Sequence, residues 1–228
     1  MKMGLGMSAY NTAVSYGLIL VGLVVGSLSF GDSPEARFWG WFQRNSDRLK
    51  HFERDQDRIF SELSGELKRI NGDLVFAFGP TKGGVREFVV SAGGISSAFP
   101  AVKKLVSAAP KMPSWKITAF RPRVGVTDHV IIEGRSVPAA DIWYRSLPEG
   151  HKLGVVIFVR GYSKATERQL GSAAFLQLDN AIGEYDATTK IGSIAFEDLP
   201  VDPRAHGLKP MSALPAEVDR LTIPTKHH

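Results

Sequence analysis

The chain has 228 residues and a net charge of +5, and 43% of its residues are hydrophobic. It contains no cysteine, which excludes disulfides, thiolate catalysis and cysteine-ligated metals. Its basic residues are scattered among acidic ones rather than gathered in a stripe, so no nucleic-acid partner is expected.

The first predicted element is an apolar helix within residues 1–31. No charged residue lies between Lys2 and Asp32, and the run Ala13–Phe30 is about as long as the ~18–20 residues that cross a bilayer. Small residues at suitable spacing let membrane helices pack closely, and here they are Gly17, Gly22 and Gly26. We therefore predict a single N-terminal transmembrane anchor, with the lipid bilayer as a partner.

A cleaved secretory signal peptide is the alternative interpretation of this segment. Ser27-Leu28-Ser29 is an acceptable cleavage site, and cleavage there would release a secreted or periplasmic domain. For a retained anchor, the basic residues that follow it predict a body on the cytoplasmic side of the inner membrane. These residues are Arg37, Arg44, Arg48 and Lys50.

An amphipathic juxtamembrane helix is predicted over residues 32–72. Apolar residues recur there at intervals of three, four and seven, which is typical of a helix with one buried face. The helix opens with Phe38-Trp39-Gly40-Trp41-Phe42. Trp39 and Trp41 either form an aromatic belt at the membrane interface or pack into the core, and we assign them as interface aromatics.

The remaining body is predicted to be α+β, with two strand-strand-helix-strand units over residues 73–125 and 126–200. Because one such unit cannot cover its own sheet face, we expect the two to pack together or to share one antiparallel sheet. Residues 201–228 are rich in proline and predict an extended C-terminal tail.

Two arginines and three acids are the strongest candidates for a site. Arg121 and Arg123 flank a proline at a predicted strand end, and Asp179, Glu184 and Asp186 lie around the end of the last long helix. The guanidinium groups could bind an anion, and the carboxylates could bind Mg²⁺ or Ca²⁺. Ion pairing between the two groups is the alternative and the preferred interpretation, so no metal or cofactor is predicted.

The sequence gives no catalytic signature. The histidines are scattered, no HExxH or GxSxG pattern occurs, and the Gly-Gly pairs do not match a phosphate-binding loop. We therefore predict no catalytic residues.

Four stretches resemble a family of uncharacterised bacterial domains that open with Phe-Trp-x-Trp-Phe and carry a late Gly-Glu-Tyr-Asp segment. These stretches are 38–42, 86–95, 120–123 and 178–186. The resemblance covers residues 38–219 and implies neither an activity nor catalytic residues. Many relatives lack a membrane segment, so the resemblance implies that the anchor is an addition in this chain.

The sequence therefore predicts a membrane-anchored, non-enzymatic interaction module, an accessory or structural subunit whose partners are integral membrane proteins of a larger complex. One alternative is a membrane-anchored hydrolase or phosphate-binding and anion-binding domain that uses the charged residues named above. The other is the secreted or periplasmic domain.

Overall fold

Ser33 begins the first helix of the computed structural model, which describes residues 33–221. Its hydroxyl accepts a hydrogen bond from the Ala36 N–H at 3.1 Å, and Pro34 lies in the first turn, where it needs no N–H partner. The helices of the N-terminal half are α1 (Pro34–Arg44), α2 (Ser46–Lys50), α3 (Gln56–Lys68) and α4 (Phe99–Ser107), with a 3₁₀ turn at Phe52–Arg54.

The one helix predicted over residues 32–72 is therefore several shorter ones. The backbone leaves the helical region at Asn45 (φ −104°, ψ 6°) and at Asp55 (φ −157°, ψ 60°). These breaks let α1 and α3 place their apolar faces against the same core, which a straight helix could not do.

A mixed three-stranded sheet supports these helices. Its strands are β1 (Val75–Lys82), β2 (Val85–Ser91) and β3 (Trp115–Ala119), in the order β1-β2-β3. β1 and β2 are antiparallel, whereas β2 and β3 are parallel because α4 carries the chain back to the starting edge of the sheet.

The C-terminal half contains a separate hairpin and a second mixed sheet. The hairpin consists of β4 (His129–Ile132) and β5 (Arg135–Pro138). The second sheet has the order β8-β7-β6-β9, where β6 is Ile142–Glu149, β7 is Lys152–Val159, β8 is Ile191–Asp198 and β9 is Lys209–Pro210. The helices are α5 (Glu167–Ile182), α6 (Glu184–Lys190) and α7 (Leu214–Asp219), and the crossover through α5 and α6 makes β7 and β8 parallel.

The predicted fold class is wrong, although the body is α+β. The sheets are mixed rather than antiparallel, because the helix in each unit returns its last strand in a parallel direction. Within residues 33–221, no helix has both the length and the apolar character needed to cross a membrane. The predicted anchor and its Gly17, Gly22 and Gly26 lie outside the described residues.

Each half has its own hydrophobic core. Large, fully buried members of the N-terminal core include Phe38, Phe42, Leu63, Phe88 and Leu105. The C-terminal core includes Ile142, Tyr144, Ile157, Leu170 and Leu178. Because these are two separate clusters, polar contacts contribute substantially to the junction between the halves.

The segment after Val201, predicted as an extended tail, packs on the C-terminal half up to Asp219. Leu214 and Val218 of α7 are fully buried in that core. Glu217 accepts hydrogen bonds from the Tyr144 hydroxyl at 3.0 Å and the Ser146 hydroxyl at 2.6 Å, which fix α7 against β6.

Candidate functional site

The two halves are joined by residues 121–125, which start from an unusual backbone conformation. Phe120 has φ 64°, a left-handed value that a bulky residue rarely adopts, and its N–H donates to the Val90 carbonyl at 2.7 Å. At the other end, the Val124 and Gly125 N–H groups both donate to the Asn180 carbonyl, at 3.0 and 2.9 Å. The connection is therefore fixed to a strand of one half and to α5 of the other.

Glu184, at the start of α6, lies at the centre of this junction and is only 1% exposed. One carboxylate oxygen accepts hydrogen bonds from the backbone N–H groups of Ala92 (2.9 Å) and Gly94 (3.1 Å), and the other accepts one from the Arg121 N–H (3.0 Å). Burial by itself raises the pKa of this carboxyl, but hydrogen bonds from Arg121, Ser91, Gly94 and Ala92 outweigh burial and leave the pKa below its ordinary value.

Two of the three N–H groups that bind Glu184, those of Ala92 and Gly94, come from a turn after β2 that only glycine adopts readily. Gly93 and Gly94 have φ 59° and 83°, and successive left-handed residues can turn backbone N–H groups toward one anion. In this chain the anion is the protein's own carboxylate, contributed by the opposite half.

Arg121 forms an ion pair with Asp179 of α5, with 2.6 Å between Nη2 and Oδ2. Its Nε lies 3.9 Å from a Glu184 carboxylate oxygen. Burial raises the pKa of Asp179, and Glu184 raises it further, while the Arg121 charge acts in the opposite direction. One guanidinium therefore faces two carboxylates.

Arg123 connects the linker to α6 and α7. Its Nη2 pairs with Asp186, and with Asp219 at 2.7 Å, while its Nε donates to the Ile182 carbonyl at 2.8 Å. Hydrogen bonds to Asp219 and Asp186 raise the pKa of Arg123 despite its partial burial. Asp186 also pairs with Lys190 one helical turn later, at 3.3 Å.

Every residue of the segment Gly183-Glu184-Tyr185-Asp186 thus contacts the linker or the N-terminal half. Gly183 has φ 77°, and a Cβ at this position would lie 3.2 Å from Arg123 Cγ. The Tyr185 ring packs against Phe99 and Phe120 of the N-terminal half, with centroid distances of 5.6 and 5.2 Å.

Two open clefts border the junction, and both include Arg121 and Asp179 in their walls. The Gly93 cleft has a volume of about 530 Å³ and is lined by Gly93, Gly94, Arg121, Phe175, Leu178, Asp179, Ala187, Thr188, Ile191, Gly192 and Ile194. The Pro80 cleft has a volume of about 220 Å³ and is lined by residues 77–80, Glu87, Val89, Arg121, Pro122, Val124, Leu176, Asp179 and Asn180.

The structure brings the five charged candidates together. Arg121, Arg123, Asp179, Glu184 and Asp186, called here the Glu184 cluster, contact one another or the backbone that joins the halves. By contrast, Trp39 is a core residue, 2% exposed, whose Nε1 donates to the Leu105 carbonyl at 2.8 Å. Its assignment as an interface aromatic is corrected accordingly; Trp41 is half-buried beside the same core.

Sequence reasoning missed the partners that complete the Glu184 cluster. Asp219 gave no signal, because it lies in a proline-rich segment that predicts a tail. Gly93-Gly94 is one of the Gly-Gly pairs that match no phosphate-binding loop, although a glycine turn can also direct backbone N–H groups at an anion.

The arrangement can hold two halves in register. Across residues 33–221, no group of three potential metal ligands is placed to bind an ion. Neither cleft wall includes a histidine or serine side chain, although the Gly93 cleft includes Thr188 and both clefts include Asp179. Fold and site together define a two-core α+β protein whose halves are joined by buried and half-buried charges.

Comparison with protein-family models, with curated proteins and with solved structures finds no match to this chain. The resemblance to the uncharacterised bacterial family stays a prediction.

Proposed function

We propose that the chain is a non-enzymatic interaction module that binds a partner molecule. The observation that supports this best is that the charged groups of the Glu184 cluster already bind one another and the backbone, while the clefts beside them expose apolar walls. Phe175 and Leu176, consecutive on α5, are 46% and 40% exposed, and they line different clefts. Exposed apolar surface in a concave site is typical of binding.

The hydrolase and anion-binding alternative has less support. Arg121 and Arg123 both have carboxylate partners, and an incoming anion would also face Asp179, Glu184 and Asp186. Phosphate would therefore have to displace internal carboxylates from the guanidinium groups.

The membrane location, the membrane-protein partners and the alternative of a secreted domain all depend on residues outside 33–221. They stay predictions, and N-terminal sequencing of the mature chain distinguishes a cleaved from an uncleaved chain.

Amine crosslinking in the native cell, followed by purification of the full chain in mild detergent, tests the proposed function. We expect the chain to migrate with a second protein at a fixed ratio. Recovery of the chain alone would contradict the proposal, and so would turnover in a hydrolase screen that Arg121→Ala abolishes and Arg160→Ala leaves intact. Arg160 is a suitable control because it forms a comparable surface ion pair with Asp141 at 2.7 Å, in neither cleft wall.

A further inference from the structure

We propose that the Gly93 cleft and the Pro80 cleft together bind one extended apolar peptide segment of a partner protein. One residue of the segment would direct its backbone N–H and C=O at the Arg121–Asp179 pair, and a side chain on either side of it would enter each cleft. This inference rests on the proposed interaction function and names the chemistry of the partner.

The polar part of the site fits a neutral amide better than an ion. Arg121 is 42% exposed and offers N–H donors, and Asp179, 2.6 Å away, offers acceptor oxygens. An anion attracted by the guanidinium would meet the Asp179 and Glu184 carboxylates, and a cation attracted by Asp179 would meet Arg121. In an extended segment, the backbone N–H and C=O of one residue point to the same side and carry no net charge, so they can donate to Asp179 and accept from Arg121 without this conflict.

The apolar side chains of the site line two separate clefts, which could each take one side chain of an extended peptide. Phe175 and Ile194 line the Gly93 cleft, whereas Leu176, Val89 and Val124 line the Pro80 cleft. Asp179 follows Phe175 by four residues and Leu176 by three, so these side chains lie on neighbouring parts of one helix surface. The ion pair lies in the walls of both clefts. The Pro80 cleft is mostly apolar, whereas the Gly93 cleft combines Phe175 and Ile194 with Thr188 and three glycines. The side chains that flank the bonded residue could fill the two clefts.

The volume of the Pro80 cleft favours a side chain over a compact ligand, whereas the volume of the Gly93 cleft admits either. About 220 Å³ in the Pro80 cleft is below the range of typical small-molecule pockets, roughly 300–1,000 Å³, whereas the Gly93 cleft at about 530 Å³ is within it. An extended segment can occupy both recesses at once. A small molecule that occupies the Gly93 cleft alone is the competing outcome.

Selection of a displayed library of random peptides on the full chain in mild detergent tests the proposal. We expect enrichment of peptides with two large apolar residues near each other and no preference for charge. A synthetic copy of the best peptide should bind wild type and lose about tenfold in affinity, roughly 1.4 kcal/mol, in Phe175→Ser and in Leu176→Ser. Ile131→Ser, on an exposed β4 side chain in neither cleft wall, should bind as wild type does.

The thermal unfolding midpoint of each variant checks that it is folded. A second measurement on wild type uses the same peptide carrying a photoreactive group, which should crosslink to α5 or to the Gly93-Gly94 turn. Absence of enrichment, crosslinks elsewhere, or equal losses in all three variants would overturn the peptide site. Loss of affinity in Phe175→Ser alone would indicate a ligand confined to the Gly93 cleft and would also overturn it.

The peptide site and the broader proposal can fail separately. If the crosslinked native complex persists in Phe175→Ser and Leu176→Ser, the chain is an interaction module that uses another surface. If no native complex forms, the interaction function itself is wrong.

Discussion

Glu184 is an acidic residue that is almost completely buried, whereas acidic side chains usually lie at the surface. A buried carboxylate is costly unless hydrogen bonds replace its water, and here three backbone N–H groups from two separate segments do so. Those N–H groups in turn depend on the carboxylate, because at this buried junction each would otherwise lose its acceptor. The residue and its binding turn therefore stabilise each other across the two halves.

Substitution of Glu184 by glutamine should lower the free energy of unfolding by about 2–3 kcal/mol. The amide keeps one acceptor oxygen but presents an NH₂ group to a backbone N–H that needs an acceptor. Urea denaturation at neutral pH measures the change, and Glu197→Gln on an exposed part of β8 serves as the matched control. A loss no larger than that of the control would show that the buried hydrogen bonds contribute little.

The same carboxyl should make the fold sensitive to acid. Its pKa in the folded state lies below the ordinary value of 4.5, so folding favours the ionised form. Its stabilisation is fully present above about pH 4.5 and is lost as the pH falls through the folded-state pKa. Asp179, whose pKa is raised, takes up a proton more readily in the folded state and offsets part of this loss.

Urea denaturation of wild type and Glu184→Gln over a series of decreasing pH values isolates the contribution of Glu184. The free energies of unfolding of the two proteins should differ most at neutral pH and converge in acid. A constant difference across the series would mean that the pKa of Glu184 is the same in the folded and the unfolded protein.

The junction between α5 and α6 shows how the backbone of one residue can position a whole element. Gly183 turns the chain with φ 77° directly beside Arg123, and the next residue is Glu184. A helix that continued through this position would point Glu184 and Asp186 away from the linker. Both the turn and the close approach of the Arg123 backbone favour glycine at position 183, because a Cβ there would lie 3.2 Å from Arg123 N.

Gly183→Ala should be more destabilising than Gly161→Ala, and the pair separates two causes. Both glycines have φ 77°, which strains an alanine, and Gly183 also has ψ 155°, a combination that essentially only glycine adopts and that costs other residues about 1–3 kcal/mol. Only Gly183 has atoms close to the added Cβ, at 3.2 Å, whereas Gly161 has none within 4 Å. Thermal and urea unfolding of both variants should show at least about 1 kcal/mol of extra loss for Gly183→Ala. Equal losses would indicate that Arg123 moves aside without cost.

For the helices and strands, the sequence predicted much of their order along the chain but not the directions of the strands. Local periodicity identifies α4, α5 and the strands β2 and β7, because each spans several residues of regular pattern. Strand direction depends on where a crossover returns the chain, which is a property of tertiary structure. The breaks at Asn45 and Asp55 were missed for a similar reason, since apolar spacing continues across them.

The Glu184 cluster was partly predictable for a physical reason. Arg121 and Arg123 lie far in sequence from Asp179, Glu184 and Asp186, yet opposite charges at element ends within a small α+β body favour pairing. Backbone N–H groups carry no sequence identity, so the contacts of Glu184 to Ala92 and Gly94 could not be predicted.

As a whole, residues 33–221 combine two large apolar cores, and a small third cluster around Phe158, with a junction rich in polar groups. Burial within each half stabilises that half by itself, whereas the Glu184 cluster contributes only when both halves are folded and in contact. Cooperativity between the halves therefore depends on specific contacts at the junction. Both clefts border this junction and share Arg121 and Asp179 in their walls.

This design predicts that weakening the junction uncouples the halves before it unfolds them. In wild type, native-state hydrogen exchange should give similar opening free energies for buried amides of β2 and β7. In the double variant Glu184→Gln and Arg123→Ala these free energies should separate by about 1 kcal/mol or more, because either half can then open without the other. Tyr144→Phe, which removes one hydrogen bond to Glu217 inside the C-terminal half, is the control and should lower stability by about 1 kcal/mol without comparable separation. If the double variant lowers both sets of amides equally, the halves are coupled by apolar packing, and the junction charges serve only to position the clefts.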